Sequence, residues 1–269
     1  MTDIPVIRFP LALAGAGAPR MPDTARPLIP WEAEAVAHYS FGGDATSLLD
    51  RLTGLPLVAA GVAPTFASNH LTLASGGANG LITHLDDRPA LTVLLVIRKT
   101  KVVPLNEIAV LFGSATNTGE AGGELAFLLG SAAADTNSTR YNVRGDDVLI
   151  SDSGQNHQVP IGDWYIQIIG RDNTAQGRFM LSPGSPAPAG HFVDDPGAVT
   201  KTLATPMRKL ALGNAWYNQS TAYLGLSIAE AVIWPHRLTY DAAYEAAYRA
   251  RARARNRGLT LPWVHQADR

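Results

Sequence analysis

Between Ala35 and Trp234 the sequence sustains no apolar period of about 3.6 residues; it offers short apolar or alternating runs, each closed by Gly, Asn, Asp or Pro. The runs are 36–41, 55–60, 71–74, 80–84, 90–98, 107–112, 124–129, 147–151, 164–170, 178–181, 208–213 and 223–234. So many strand-length segments in roughly two hundred residues predict an all-β chain, two antiparallel sheets packed as a sandwich. Nothing alternates strand with helix, which argues against a parallel doubly wound sheet, and no repeat of roughly 20–50 residues suggests a propeller or solenoid. The 25 glycines and 18 prolines supply corners without reaching low-complexity composition. In the last run Leu224, Leu226, Ile228, Val232 and Trp234 are large and apolar at even positions, predicting burial of one face. Glu230 breaks that phase, so it is either a buried carboxylate with a partner or turned outward by a bulge.

The two ends of the chain differ from this middle. Residues 1–31 carry prolines at 5, 10, 19, 22, 27 and 30, which fix φ and remove backbone donors, so this extended N-terminal arm is neither helix nor central strand. Ile4, Val6, Ile7, Phe9, Leu11 and Leu13 are too apolar for a solvated tail, and the arm reads as a peg that docks on another subunit. One C-terminal helix is predicted over 239–257, with Thr239 as cap, Asp241 in the first turn and Gly258 as stop. Its inner stripe is expected to be Tyr240, Ala243, Tyr244, Ala247 and Tyr248, with the rings packed on the sandwich; a ligand-stacking ladder is the alternative. Arg249, Arg251, Arg253, Arg255 and Arg257 splay by about 200° per step and read as solvated cations near the helix terminus. The sandwich with its helix thus spans 32–258, followed by a tail, 259–269.

Charge and composition remove several classes of function. With 22 Lys and Arg against 23 Asp and Glu, the net charge of −1 creates no field that favours nucleic acid. No segment reaches the about 18 consecutive apolar residues of a membrane span, and Phe9 to Pro19 imitates a signal peptide only weakly because Asp3, Pro5 and Pro10 spoil it. Zero cysteines exclude disulfides, thiolate metal sites and cysteine nucleophiles.

The segment from Lys209 to Asn214, the strand Tyr223 to Trp234, and Arg237-Leu238-Thr239 opening a helix together resemble the end of a laminin-G-like, concanavalin A-like jelly roll. His38-Tyr39-Ser40-Phe41 with Asp44, the stretch Leu48 to Gly54, Leu71-Thr72-Leu73 and the strand Leu91 to Arg98 are similar to its front half. Gly162-Asp163-Trp164-Tyr165 resembles its mid-domain tryptophan strand. The resemblance covers about residues 35–257 and departs at 171–206, where a Pro- and Gly-rich insertion replaces a short hairpin.

That fold includes glycan-cleaving enzymes, whose retaining chemistry needs two carboxylates roughly 5 Å apart. No Glu-x-Asp-x-Glu array exists here. Glu32 and Glu34 sit beside Trp31 at the proline-rich edge and read as surface or interface residues, while Asp86-Asp87, Asp146-Asp147 and Asp194-Asp195 suit turns. The histidines His38, His70, His84, His157, His191, His236 and His265 show no zinc spacing, and no P-loop, Gly-x-Gly-x-x-Gly or Gly-x-Ser-x-Gly element occurs. No cofactor is expected; calcium is the one ion whose oxygen ligands loops such as 135–137 or 194–195 could supply. The most suggestive loop is 213–220. There Trp216 and Tyr217 offer an aromatic platform and Asn214, Asn218 and Gln219 offer amides, the chemistry a sugar site needs; the bland alternative folds Trp216 over the sandwich edge. The polar stretch 135–142 has similar composition and reads as a second loop or a linker.

The resemblance, the apolar arm and the missing cysteines imply a virion component of a bacteriophage or phage-like particle: a non-catalytic fibre or decoration protein made in the bacterial cytoplasm and carried on the particle surface. It would be a homo-oligomer, contacting other particle subunits through residues 1–30 and host surface glycan through its loops. A purely structural cement protein and a glycan hydrolase or lyase of the same fold are the alternatives.

Overall fold

The computed structural model describes residues 32, 34–105, 107–116, 120–130, 136–144, 149–158, 161–173, 178–182, 191–195, 200–216 and 226–261, which leaves the arm 1–31 outside the described residues. Among the described residues, fifteen strands form two antiparallel sheets, and one helix follows them. They are β1 (Ala37–Ser40), β2 (Val58–Ala60), β3 (Thr65–Phe66), β4 (Leu71–Thr72), β5 (Gly80–Asp86), β6 (Leu91–Lys99), β7 (Ile108–Gly113), β8 (Glu124–Gly130), β9 (Thr136–Arg144), β10 (Leu149–Gln158), β11 (Trp164–Arg171), β12 (Arg178–Ser182), β13 (His191–Asp195), β14 (Lys209–Gly213), β15 (Leu226–Trp234) and α1 (Tyr240–Asn256). The first sheet runs β13-β12-β11-β6-β15-β4-β3, with β1 sharing the far edge of β15, and the second runs β10-β9-β8-β7-β14-β5-β2. The chain is therefore an all-β antiparallel sandwich with a C-terminal helix, the fold class its punctuation predicts.

The strand at the centre of the first sheet shows why the layers stack as they do. In β6 the odd positions Leu91, Val93, Leu95 and Ile97 enter the core between the sheets, while Leu94 and Val96 lie on the outer face under α1. Burial of both faces is what its unbroken apolar run encodes. Its neighbour β15 does not keep one phase from end to end. Leu226 and Ile228 face the core, Val232 and Trp234 face the helix, and the register shifts between Ile228 and Glu230. This bulge puts Ala229 and Glu230 in succession toward the helix side, so the expected single even-numbered face is two half-faces joined at Glu230.

Helix α1 begins where its cap predicts, with Thr239 Oγ1 accepting from Ala242 N at 3.3 Å. It stops at Gly258, whose φ of 80° lets Leu259 N return to Ala254 O at 3.0 Å. Leu259 and Leu261, at the start of the expected tail, pack in the cluster beneath the helix. The inner stripe differs from the expectation. Ala242, Ala243, Ala246, Ala247, Ala250 and Ala254 face the sheet beside Tyr244, whereas Tyr240 and Tyr248 are exposed. Small side chains let the helix lie close on Trp234, Trp164 and Ile166, leaving no depth for a ladder of rings.

Three further expectations are corrected. The polar stretch 135–142 contributes not a linker but β9, whose Thr139, Tyr141 and Val143 are buried while β8 pairs along it. The insertion after β11 adds β12 and β13 to the first sheet, so Asp194 and Asp195 lie on a strand rather than in a turn. Asp86 is exposed at the end of β5, but Asp87 is buried, accepting from Ser114 Oγ at 2.6 Å and Ala204 N at 2.8 Å and bonding Lys201 Nζ. Asp146 and Asp147 lie outside the described residues.

Gly258 has open space around a would-be Cβ, so replacing it tests only backbone conformation. Gly258→Ala is expected to lower stability by about 1 kcal/mol, read as a reduced midpoint in urea unfolding at unchanged slope.

Candidate functional site

The outer face of the first sheet is occupied by α1, and what fixes the helix there also shapes the molecule's open rim. Arg249, Arg253 and Arg257 recur every four residues and fall in one line, a face that reading the arginines two by two does not reveal. Arg249 Nε donates to Glu32 Oε2 at 2.9 Å, and Arg253 bonds both Glu32 and Glu230, its Nε lying 2.8 Å from Glu230 Oε1. His38 Nε2 lies 3.2 Å from the same Glu230 oxygen. Glu230 is thus a buried carboxylate with partners and also a bulge residue, both of the alternatives its sequence position raises. Glu32, expected at the surface, is buried at 2% exposure, while Glu34 remains exposed with His236 at 3.5 Å. Glu32 and Glu230 are therefore held in ion pairs with Arg253, and Glu34 is not.

Arg257 completes the line. Its Nη1 donates to Ala229 O at 2.9 Å and its Nη2 to the carbonyls of Phe41 and Asn69. The wall so formed, Ser68-Asn69 against Arg257-Gly258, stands between two open clefts.

The first cleft, about 420 Å³, is lined by Asn69, His70, Arg98, Asp163, Trp164 and Thr260 among others. Trp164 opens β11 and pairs in register with Arg98 of β6, which places the guanidinium 4.6 Å from the ring centre. His70 meets the same ring edge-on at 5.1 Å, and Arg98 Nη2 lies 3.0 Å from His70 Nε2. A guanidinium only donates, so Nε2 accepts and Nδ1 carries the proton toward Asn69 Oδ1 at 2.8 Å. Burial pushes the His70 pKa down, and the charges of Arg98 and Arg257 push it further, so the ring is neutral near pH 7. Arg98 Nε is buried without a hydrogen bond, and Asp163 has no partner among the described residues. One cleft thus presents a donor, an acceptor, a fixed imidazole and the rim of an indole.

The second cleft, about 460 Å³, lies across the wall between the end of β1 and the 3-10 turn Ala45–Leu48. Ser40, Ser47, Ser68, Arg51 and Arg257 contribute to its lining.

The predicted sugar loop falls elsewhere. Asn214 is buried and donates its Nδ2 to Gly77 O at 2.6 Å, so it anchors the loop from inside and is not at the edge of a platform. Trp216 is half-buried, with Nε1 donating to Lys209 O at 2.7 Å at the start of β14. Tyr217, Asn218 and Gln219 lie outside the described residues. No described group of three or more His, Asp and Glu is placed to hold a metal ion; Asp135 lies outside the described residues.

No family model and no curated protein matches the chain. Among solved structures, domain 4 of the GH43 extracellular arabinanase AbnA from Geobacillus stearothermophilus, solved with arabinotriose, is 17% identical with a TM-score of 0.52; the match covers 80% of this chain and 98% of that one. The binding domain of botulinum neurotoxin DC, in complex with SialylT, is 10% identical with a TM-score of 0.53 over 81% of this chain and 52% of that one. The serotype G binding domain is 11% identical with a TM-score of 0.54 over 80% and 51%. The chain spans about half of each toxin structure, and at such identities the likeness is one of fold: a β-sandwich shared with these three domains.

Burial alone would raise the Glu230 carboxyl, but Arg253 and His38 outweigh it and hold the pKa at about 2, below an ordinary glutamate's 4.5. With the folded value below the unfolded one, this stabilisation is present above pH 4.5 and is lost as pH falls toward 2. Glu230→Gln is expected to be less stable at pH 7 and to show a flatter loss of stability across that acid window, measured by urea unfolding at each pH.

Proposed function

We propose that this chain is a non-catalytic carbohydrate-binding β-sandwich, carried as a fibre or decoration protein on a bacteriophage or phage-like particle and directed at cell-surface glycan. The observation that carries the glycan reading is the first cleft, where Asp163 stands without a partner among the described residues beside Arg98 and Trp164. Sugars present vicinal hydroxyls that both donate and accept, together with apolar C–H faces, so an open carboxylate, an arginine and an indole edge form a matched set. The shared fold with domains solved with arabinotriose and SialylT supports the same reading. A non-catalytic role is supported by the sealing of Glu32 and Glu230 against Arg253. The particle context rests on the apolar proline-rich arm and the cysteine-free composition. A cleft this open holds a sugar weakly, and many copies on one particle would supply avidity.

A multimeric preparation of the full chain is expected to bind at least one member of a panel of bacterial surface polysaccharides, with Asp163→Asn weakening that binding roughly tenfold, the worth of one charge-assisted hydrogen bond. No binding across the panel would leave the structural cement reading in its place. Deleting residues 1–30 is expected to abolish incorporation into particles while the circular dichroism of the sandwich is retained; continued incorporation refutes the docking role of the arm.

A further inference from the structure

Building on the glycan reading, we propose that the second cleft is a subsite for an acidic sugar, one bearing a carboxylate or sulfate, held by Arg51. Arg51 is half-buried, and its backbone N–H is fixed on His38 O at 2.8 Å. Its guanidinium has no hydrogen bond or ion pair among the described residues, although it lines the cleft. The acid beside it cannot answer that charge. Asp50 is 1% exposed and its oxygens are already taken: Oδ1 accepts from His38 N at 2.8 Å and Leu52 N at 3.1 Å, and Oδ2 from Thr53 Oγ1 at 2.6 Å. Arg257 adds a second positive charge on the shared wall, oriented by the carbonyls of Phe41 and Asn69.

The hydroxyls of Ser40 and Ser68 also line the cleft and engage no other described side chain, so they are available as donors. The Arg51 guanidinium and two free hydroxyls, with the charge of Arg257 beside them, stand against one saturated carboxylate and make a site that donates. A partly desolvated guanidinium facing a cleft without an anion matches a planar or tetrahedral oxyanion, which it can bind with two parallel hydrogen bonds.

The first cleft fixes the order of units along the ligand. Asp163 would repel an acidic sugar there and accept from the hydroxyls of a neutral one. Ser68 and Arg257 of the second cleft are chain neighbours of Asn69 and Gly258 of the first, so a chain crossing that wall sets a neutral unit against Asp163 and an acidic unit against Arg51. The ligand class is therefore a glycan in which neutral and acidic units are neighbours.

The test uses the multimeric full chain against immobilised alginate, polygalacturonate and κ-carrageenan as acidic polymers, hyaluronan and its carboxyl-reduced form as a matched pair, and arabinan and dextran as neutral ones. Binding is expected to favour hyaluronan and κ-carrageenan, whose acidic and neutral units alternate, at least tenfold over the neutral polymers and also over the all-acidic alginate and polygalacturonate, to favour hyaluronan over its reduced form, to weaken with added salt, and to lose the acidic preference in Arg51→Gln. The carrageenan arm tells sulfate from carboxylate. Binding confined to neutral polymers, or an acidic preference unchanged in Arg51→Gln, overturns the acidic subsite and leaves the glycan reading standing. No binding to any member, with circular dichroism confirming the folded sandwich, overturns both.

Discussion

Arg253 is the charge on which the arrangement of this molecule turns. It reaches from the last turns of α1 to Glu230 at the bulge of β15 and to Glu32 just ahead of β1, while His38 of β1 approaches Glu230 from its other side. Four separate stretches of chain converge on two carboxylates that are almost wholly buried. A buried ion pair gains little over a well-packed apolar contact, but removing one partner strands the other and costs about 3–5 kcal/mol, so such a cluster specifies one arrangement more than it adds stability. Here it selects the helix's rotation about its own axis. Only the face carrying Arg249, Arg253 and Arg257 satisfies Glu32, Glu230 and the carbonyls of Phe41 and Asn69 together, and the alanine stripe then meets the sheet as a consequence.

A second buried polar cluster does the equivalent work at the opposite side of the core. Glu124 of β8 receives Arg171 Nε at 3.0 Å and the Tyr141 hydroxyl, and Lys201 Nζ lies 3.2 Å from it while also bonding Asp87. Burial would raise the Glu124 carboxyl, but Arg171 and Lys201 outweigh it and keep it ionised. Arg171 ends β11 and Lys201 follows the insertion, so this cluster ties the long excursion through β12 and β13 back to both sheets. Each cluster lies where local pattern is weakest, at the bulge in one case and around the insertion in the other.

These placements explain what could be read in the residues and what could not. Strand positions were legible because apolar runs and turn residues are local, and Thr239 and Gly258 marked the helix for the same reason. Strand β9 was hidden because its inward residues are Thr139, Tyr141 and Val143, two of them polar enough to pass for loop; the alternation itself was the available signal. The tyrosines outranked the alanines as a core stripe by size, although a helix packed closely on tryptophans favours the smaller set. The arginine line was visible at spacing four and obscured at spacing two. Nothing local, however, joined Glu32 to Arg253, separated by 221 positions, or brought His70 within reach of Arg98 and Trp164. The clefts are products of tertiary pairing, so their residues gave no motif, whereas the loop that did look like a sugar site turned Asn214 inward to satisfy a carbonyl.

The location of the clefts follows from what the faces are used for. One face of the first sheet closes the core and the other lies beneath α1, so neither is free to meet a ligand. The two open clefts lie at the rim, where the stretches 40–54, 68–70, 98 and 162–164 meet the end of the helix. At that rim some side chains are committed to partners inside the protein and others are not. Arg257, Asn69, His70 and Asp50 are committed to partners within the protein and set the shape of the walls. Arg51 and Asp163 hold nothing together, face the open clefts, and carry opposite charges on either side of one wall. Substitution at those two positions changes the charge lining the clefts while leaving the arginine line and the bulge intact, so cleft charge is separable from the buried ion clusters that fix the scaffold.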